Sequence, residues 1–471
     1  MLIDNKKHKF NADIEGHIAQ IVVDKEYRTG KQNQSFKEDD YQAYIDLMDA
    51  QRRDKNYDWM SDVSIPEFAS HMLTQSANDV DEMFSTRDFV EAYVQNGNQA
   101  AQTAANAASE CINNTLNQAH LFYYQKYVRA KLINHLGGES FFEAWWEQDV
   151  SRQEVGQEEV IEVLDVDEYG RKITDPENQI PATRSTWQPV YNEVVEIDRF
   201  NFDVIDPANV ITDNSYTYSL QQKKYVIVRS EKTLAELRAD QKKAGYFNLD
   251  LIQEDIAETE TETSRETYNR DDNYQAVHLP QNATMDILKR YGKFWCVITE
   301  RDENGNPLKA EPGIDKDGKP KKNAELHEVI ITYACHNDQK VLIAFHLTPF
   351  LDADGHPYRP VGRGLCYIHP RKDSGVGDGK YSKELQVAID DTFNVSQDRT
   401  MLSTYITLLV KEYLSEEREY AISPGGQLPV DDPREDIREL QISDNITAAL
   451  QQMGVLSGKM HILIFAVNIN P

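Results

Sequence analysis

Cysteine is scarce in this sequence: four in 471 residues, at Cys111, Cys296, Cys335 and Cys366. They lie far apart, form no Cys-x-x-Cys pair and offer no disulfide framework, so a reducing compartment is the expectation. Long apolar runs are missing as well. The longest late one, Ile462 to Val467, is six residues, against the ~18–20 that a membrane span needs. The opening MLIDNKKHKF has no apolar core of the kind a secretory signal carries. Positive charge is in the minority, with 50 Lys and Arg against 79 Asp and Glu, formally −29. That argues against a protein gripping nucleic acid by broad charge neutralisation. It does not exclude one that lets DNA pass without sticking, but plain solubility is the favoured reading of the charge alone.

Enough apolar residues remain, 40%, for real cores, and the length allows two to four domains. The 24 Tyr against 5 Trp are a composition common at wet, extended interfaces. The first 95 residues read as helices. Ile14, Ile18, Ile21 and Val22 share one apolar face, and Tyr44, Ile45, Leu47 and Met48 continue in a second helix. A third starts at Ser64-Ile65-Pro66, with Phe68, Met72, Leu73, Ala77, Val80 and Phe84 on one side. One long helix is expected from Gln99 to Leu136, Ala-rich at first and closed by Gly137-Gly138.

From Phe141 to about Phe350 the pattern turns to strands: Glu159–Leu164, Val190–Ile197, Tyr225–Val228, Phe294–Thr299, Glu328–Ala334 and Val341–Leu347. Asp/Gly turns at 167–170, 302–305, 315–318 and 352–355 separate them. A helix over Thr233–Lys243, capped by Ser230, interrupts them, and the acidic run Glu258–Asp272 reads as a solvated loop or weak helix. Gly362, Gly364, Gly375, Gly377 and Gly379 form a flexible or tightly turned link. A helix from Lys380 to about Ser403 follows, with Leu385, Ala388, Ile389, Thr392 and Phe393 on one face. Then come a strand over Tyr405–Val410, a turn at Ser423–Gly426 and a last helix from Ile446 to about Val467.

No catalytic constellation emerges. Gly375–Lys380 has the look of a phosphate loop, but a P-loop would need Gly at Ser374 and Ser or Thr at Tyr381. Asp315/Asp317 and Asp352/Asp354 lack the ligand spacing of an EF-hand, and hairpin turns explain them better. His327-Glu328 lacks the second His of a zincin. Asp390-Asp391 reads as a solvated helix face, and Asn113-Asn114-Thr115 matches a glycosylation acceptor without a secretory signal.

The order helix, strand, turn, helix at the C-terminal end carries a resemblance. With Leu132–Gly138 before Trp145-Trp146, with Phe202–Asp213 before Tyr225–Arg229 and Thr233–Leu237, and with Gly375–Arg399, it resembles the portal proteins of tailed bacteriophages, closest to podovirus-like ones. The likeness covers roughly residues 59–471. It implies an elongated α+β chain: a helical region 1–96, a wing 97–378, a first stem helix 379–404, a clip 405–445 and the start of a second stem helix 446–471. Members of the family continue into a crown, so the chain reads as truncated before it.

The implied function is a homo-oligomeric ring, usually a dodecamer, at the capsid vertex of a virion assembled in the host bacterial cytoplasm. Double-stranded DNA passes through its channel, driven by the terminase large subunit. Major capsid, scaffold and tail adaptor proteins are the other partners, and no membrane is involved. The ring hydrolyses nothing and needs no cofactor or metal. Leu385, Ile389 and Phe393 are expected at the stem interface, Lys383 and Arg399 as channel-lining candidates, and Lys411, Glu416, Glu417 and Arg418 at the terminase or adaptor docking surface of the clip. Two alternatives stand beside this: another virion structural or adaptor protein, and a nucleotide-using enzyme built on Gly375–Lys380.

Overall fold

A computed structural model describes residues 8–467 except 35, 52–56, 87, 95–98, 168–180, 218, 253–283, 302–304, 306, 337–338, 353–354, 406–407, 412–423 and 433–445. The fold is α+β, as expected. The chain divides into two compact units: Ala144–Asp203, and Met1–Glu143 together with Val204–Pro471. The first consists of stretches of two long strands, β1 (Glu139–Asp167) and β2 (Pro181–Ile205), which pair with each other. Within it the Trp146 indole donates to Asp198 at 2.6 Å and Arg199 pairs with Glu147 at 2.8 Å.

The larger unit is built on an antiparallel sheet ordered β3-β4-β5-β7-β8. Its strands are β3 (Val210–Thr212), β4 (Tyr225–Thr233), β5 (Thr284–Arg301), β7 (Glu325–His336) and β8 (Gln339–Leu347), with β6 (Pro307–Pro312) on the far half of β5. Strand alternation sends side chains to two faces, and both faces are covered. On one, Ile18 and Val22 of the N-terminal helix pack on Ile211, Ile227, Leu288, Ile331 and Tyr333. On the other, Val226, Val228, Tyr291 and Ile330 meet Phe141 and Val361. This double cover explains why residues 328–334 of β7 are buried without a break.

The N-terminal helix runs as α1 (Ala12–Ala19), a π-helical stretch Gln20–Tyr27, and α2 (Arg28–Asn33). Ile18 and Val22 are fully buried, as their spacing predicts. The π stretch carries Glu26, which holds the buried Arg290 of β5 through two hydrogen bonds, one of 2.9 Å. Helices α3 (Glu38–Met48) and α4 (Glu67–Phe84) follow. On α4, Phe68, Met72 and Val80 are buried as expected, but Leu73 and Ala77 are exposed and His71, Gln75 and Ser76 take their place.

The single helix expected over Gln99–Leu136 is two. Helix α5 (Gln99–Leu116) and α6 (Tyr123–Gly137) are separated by a short 3-10 turn and by Phe122 at φ 48°. The polar run around Asn113–Asn117 weakens the helix, and its side chains bond backbone instead. Asn113 takes the amides of Phe89 and Val90, each at 3.0 Å. It is buried at 6% exposure, which leaves no room for a glycan. The aromatic rings of Phe84, Phe89, Tyr123 and Tyr127 gather at the break.

Two short helices, α7 (Leu234–Ala239) and α8 (Gln241–Ala244), stand where one was expected. The cap of α7 is Thr233 in a reciprocal box with Glu236, while Ser230 belongs to β4. The run Glu258–Asp272 lies outside the described residues. Gly362 and Gly364 belong to strand β9 (Val361–Leu365), paired antiparallel with the start of β1, so that part of the expected link is sheet. Asp315 caps its own turn, accepting the amides of Asp317 and Lys319 at 3.0 and 2.9 Å, and Gly318 completes it at φ 75°.

Helix α9 (Asp378–Thr404) comes next, then β10 (Leu408–Lys411), parallel to β11 (Gln427–Val430), and helix α10 (Ile446–Val467), which packs on α9 and α4. Among the described residues no helix is long and apolar enough to cross a membrane.

Candidate functional site

Helix α9 is the element on which the expected function turns. Its start is a close meeting of two backbones. Gly138 ends α6 at φ 91°, a left-handed conformation that favours glycine. The Gly138 carbonyl accepts the Cys366 amide at 2.9 Å. A Cβ on Gly375 or Gly377 would collide with the carbonyl oxygens of Gly138 or His135, and one on Gly379 would come to 2.6 Å of the Leu136 oxygen. The glycines of this loop are therefore spent on contact with the end of α6. The carbonyl oxygens of His135, Leu136 and Gly138 crowd these glycines, Lys380 is exposed, and Ser374 and Tyr381 stand where a P-loop has Gly and Ser or Thr.

A knot of charge lies against this meeting. His135 Nδ1 is 2.7 Å from Asp378 Oδ2, in the first turn of α9. Its Nε2 is 3.2 Å from Asp79 Oδ2 of α4, and Lys131 Nζ reaches the same oxygen at 2.8 Å. The Tyr367 hydroxyl donates to Asp378 Oδ1 at 3.0 Å, and Cys366 Sγ is 4.0 Å from His135 Nδ1. Burial would lower the His135 pKa, but the bonds to Asp378 and Asp79 outweigh it and push it up to about 11. The same bond from His135 holds the Asp79 carboxyl down to about 2. Burial, reinforced by Asp378, raises the Tyr367 phenol.

Further along α9 a polar ladder docks the segment before α4. Gln386 accepts the Phe68 amide at 2.8 Å, Asp390 the Ile65 amide at 2.9 Å, Asn394 the Val63 amide at 2.9 Å and Asp398 the Ser61 amide at 2.6 Å. Asn394 also donates to the Val63 carbonyl at 2.9 Å, and Gln386 to Asp390 at 2.8 Å. The registers match. Four helical residues rise ~6.0 Å, and two residues of extended chain advance ~6.6 Å. From Asp390 to Asp398 a side chain every fourth residue thus meets an amide every second residue, Ile65, Val63 and Ser61, while Gln386 meets Phe68, three residues beyond Ile65 in the first turn of α4. At Phe68 the ladder also satisfies one of the orphan N–H groups of α4, whose preceding Pro66 provides no side-chain cap.

This corrects the reading of Asp390-Asp391. Asp391 is exposed, but Asp390 is 3% exposed and bonded on both oxygens. The inward face of α9 is Ser382, Gln386, Ile389, Asp390 and Ser396, nearly all polar. Ile389, at 1% exposure, is buried inside its own chain and offers nothing to a neighbour. Leu385 and Phe393 are half-buried. Lys383 places its ammonium over the Tyr44 ring, 5.7 Å from the centroid, while Arg399 is exposed. Lys411 is the last residue of β10. Glu416, Glu417 and Arg418 lie outside the described residues.

Sequence reasoning missed the ladder and the knot. The signal for the ladder was there: Gln386, Asp390, Asn394 and Asp398 at strict intervals of four. The apolar side chains of α9 and α10 show a different pattern. Tyr381, Val395, Met401, Leu450 and Val455 are exposed. Comparison with protein-family models and with curated proteins gives no match.

Proposed function

We propose that this protein is a portal-type ring subunit. Copies would close around a channel, the dodecamer being the expected form. The terminase large subunit would drive double-stranded DNA through that channel at a capsid vertex, among capsid, scaffold and tail adaptor proteins. The observation that carries the reading is the C-terminal unit. Helix α9 leads into a small parallel pair, β10 and β11, and helix α10 packs back on α9. Both helices keep large apolar side chains exposed, among them Tyr381, Val395, Leu450 and Val455, and on this reading they are covered in the ring. A second copy is the natural occupant, because a ring requires one face of the helix pair to meet another. On this reading residues 405–445 are the clip that docks the motor. The exposed Arg399 is a candidate for the channel wall, in a chain acidic enough to let DNA slide.

The test is direct. Purified protein imaged by electron microscopy, with and without scaffold protein, should give rings with a central hole. Val395→Asp and Val455→Asp replace exposed residues and should leave the fold intact while dissolving the rings. A chain that stays monomeric at micromolar concentration overturns the reading. Closed two-fold assemblies would favour a different virion component.

A further inference from the structure

We propose that His135, Cys366 and Asp378 form a binding site for a zinc-class divalent ion, which pins the start of α9 to the end of α6 and the end of β9. The inference is independent of the ring reading, and either can fail alone.

The donor set is the first ground. One imidazole, one thiolate and one carboxylate are the ligand types zinc takes, and three protein ligands with a water in the fourth position are a common arrangement. The donor atoms lie within 4.8 Å of one another. With ordinary zinc bond lengths, tetrahedral donors are ~3.3–3.6 Å apart. The sulfur to Nδ1 distance of 4.0 Å has to close by about half an ångström. The Nδ1 to Oδ2 distance of 2.7 Å has to open by about as much, as it would when an ion replaces the shared proton.

The surroundings are the second ground. A metal-bound histidine typically gives its other nitrogen to a carboxylate, and a metal-bound carboxylate is itself hydrogen-bonded. Both partners are in place. Asp79 sits at 3.2 Å from His135 Nε2, and the Tyr367 hydroxyl sits at 3.0 Å from the outer oxygen of Asp378. Lys131 balances Asp79 at 2.8 Å.

The experiment adds zinc to dialysed full-length protein and counts it by plasma mass spectrometry. One ion per chain is expected. Cobalt in its place should give a thiolate charge-transfer band in the near ultraviolet, lost in Cys366→Ser and kept in Cys111→Ser, whose thiol is exposed on α5. Should Cys366→Ser fail to fold, alkylation of the wild-type chain decides: zinc should protect Cys366 and leave Cys111 reactive, as read by peptide mass spectrometry. No retained zinc, a cobalt band that survives Cys366→Ser, or equal alkylation of Cys366 with and without zinc overturns the site and leaves a knot held by protons alone.

Discussion

The central sheet and helix α9 belong to the same compact unit and are held by opposite means. The sheet is fixed by apolar burial on both faces, a force without direction. Ile227, Leu288 and Ile331 can be replaced by other apolar residues of similar volume at modest cost. Helix α9 is fixed by hydrogen bonds that backbone amides donate to Gln386, Asp390, Asn394 and Asp398. Here geometry is everything and volume counts for little. The lesson is that a helix can be buried without an apolar stripe when it docks on unpaired backbone rather than on side chains.

Breaking the sheet should cost most. Ile331→Ala removes a fully buried side chain between β5 and β8 and should destabilise the unit by ~2–5 kcal/mol, read as a lower denaturant midpoint. A loss under 1 kcal/mol would mean the sheet is not the main store of stability. Next comes Glu139, at the start of β1, paired with Leu365 of β9. It is 4% exposed. Burial pushes its carboxyl up to about 7, with Arg363 opposing and Asp373 adding. The folded state therefore holds this proton over a pH range in which the unfolded chain has lost it. The protonated form's advantage is full below about pH 4.5 and shrinks as pH rises through 7. Glu139→Gln should abolish that slope and stabilise the protein above pH 7 by on the order of 3 kcal/mol. Thermal unfolding measured from pH 5 to 8 would show the two curves diverging, and parallel curves would refute it.

The smallest effect, and the sharpest for the comparison, belongs to Asp390→Ala. It orphans the Ile65 amide and should cost ~1–3 kcal/mol. Hydrogen exchange should speed up at residues 61–68 and leave β5 and β7 unchanged. Uniform loss of protection would show that the helix and the sheet are a single cooperative unit.

The sheet was largely legible because strand residues announce themselves by β-branching and by turns such as Asp315–Gly318. The N-terminal helix was legible by its spacing, although not its π stretch, which carries the Glu26 that meets Arg290. The break at Phe122 was hidden, because composition favoured one long helix and tertiary contacts of Asn113 decided otherwise. The docking of α9 was hidden for a deeper reason. Apolar periodicity cannot see a polar stripe whose partners are backbone groups that carry no sequence signature. Ile389 illustrates this: its spacing placed it on an outward interface, while the ladder turned its face inward. The knot at His135 joins residues from three separate stretches of chain, and only the fold brings them together.

The ladder has a mechanical consequence. Its four rungs lie at regular intervals along α9, so a force applied along the helix axis stretches them together, in shear. A force that lifts the segment 61–68 away from one end opens them one at a time. The same hydrogen bonds are thus stiff to sliding and weak to peeling. A helix mounted this way can transmit a push along its length into α4 without slipping, yet can be detached from either end by a modest pull.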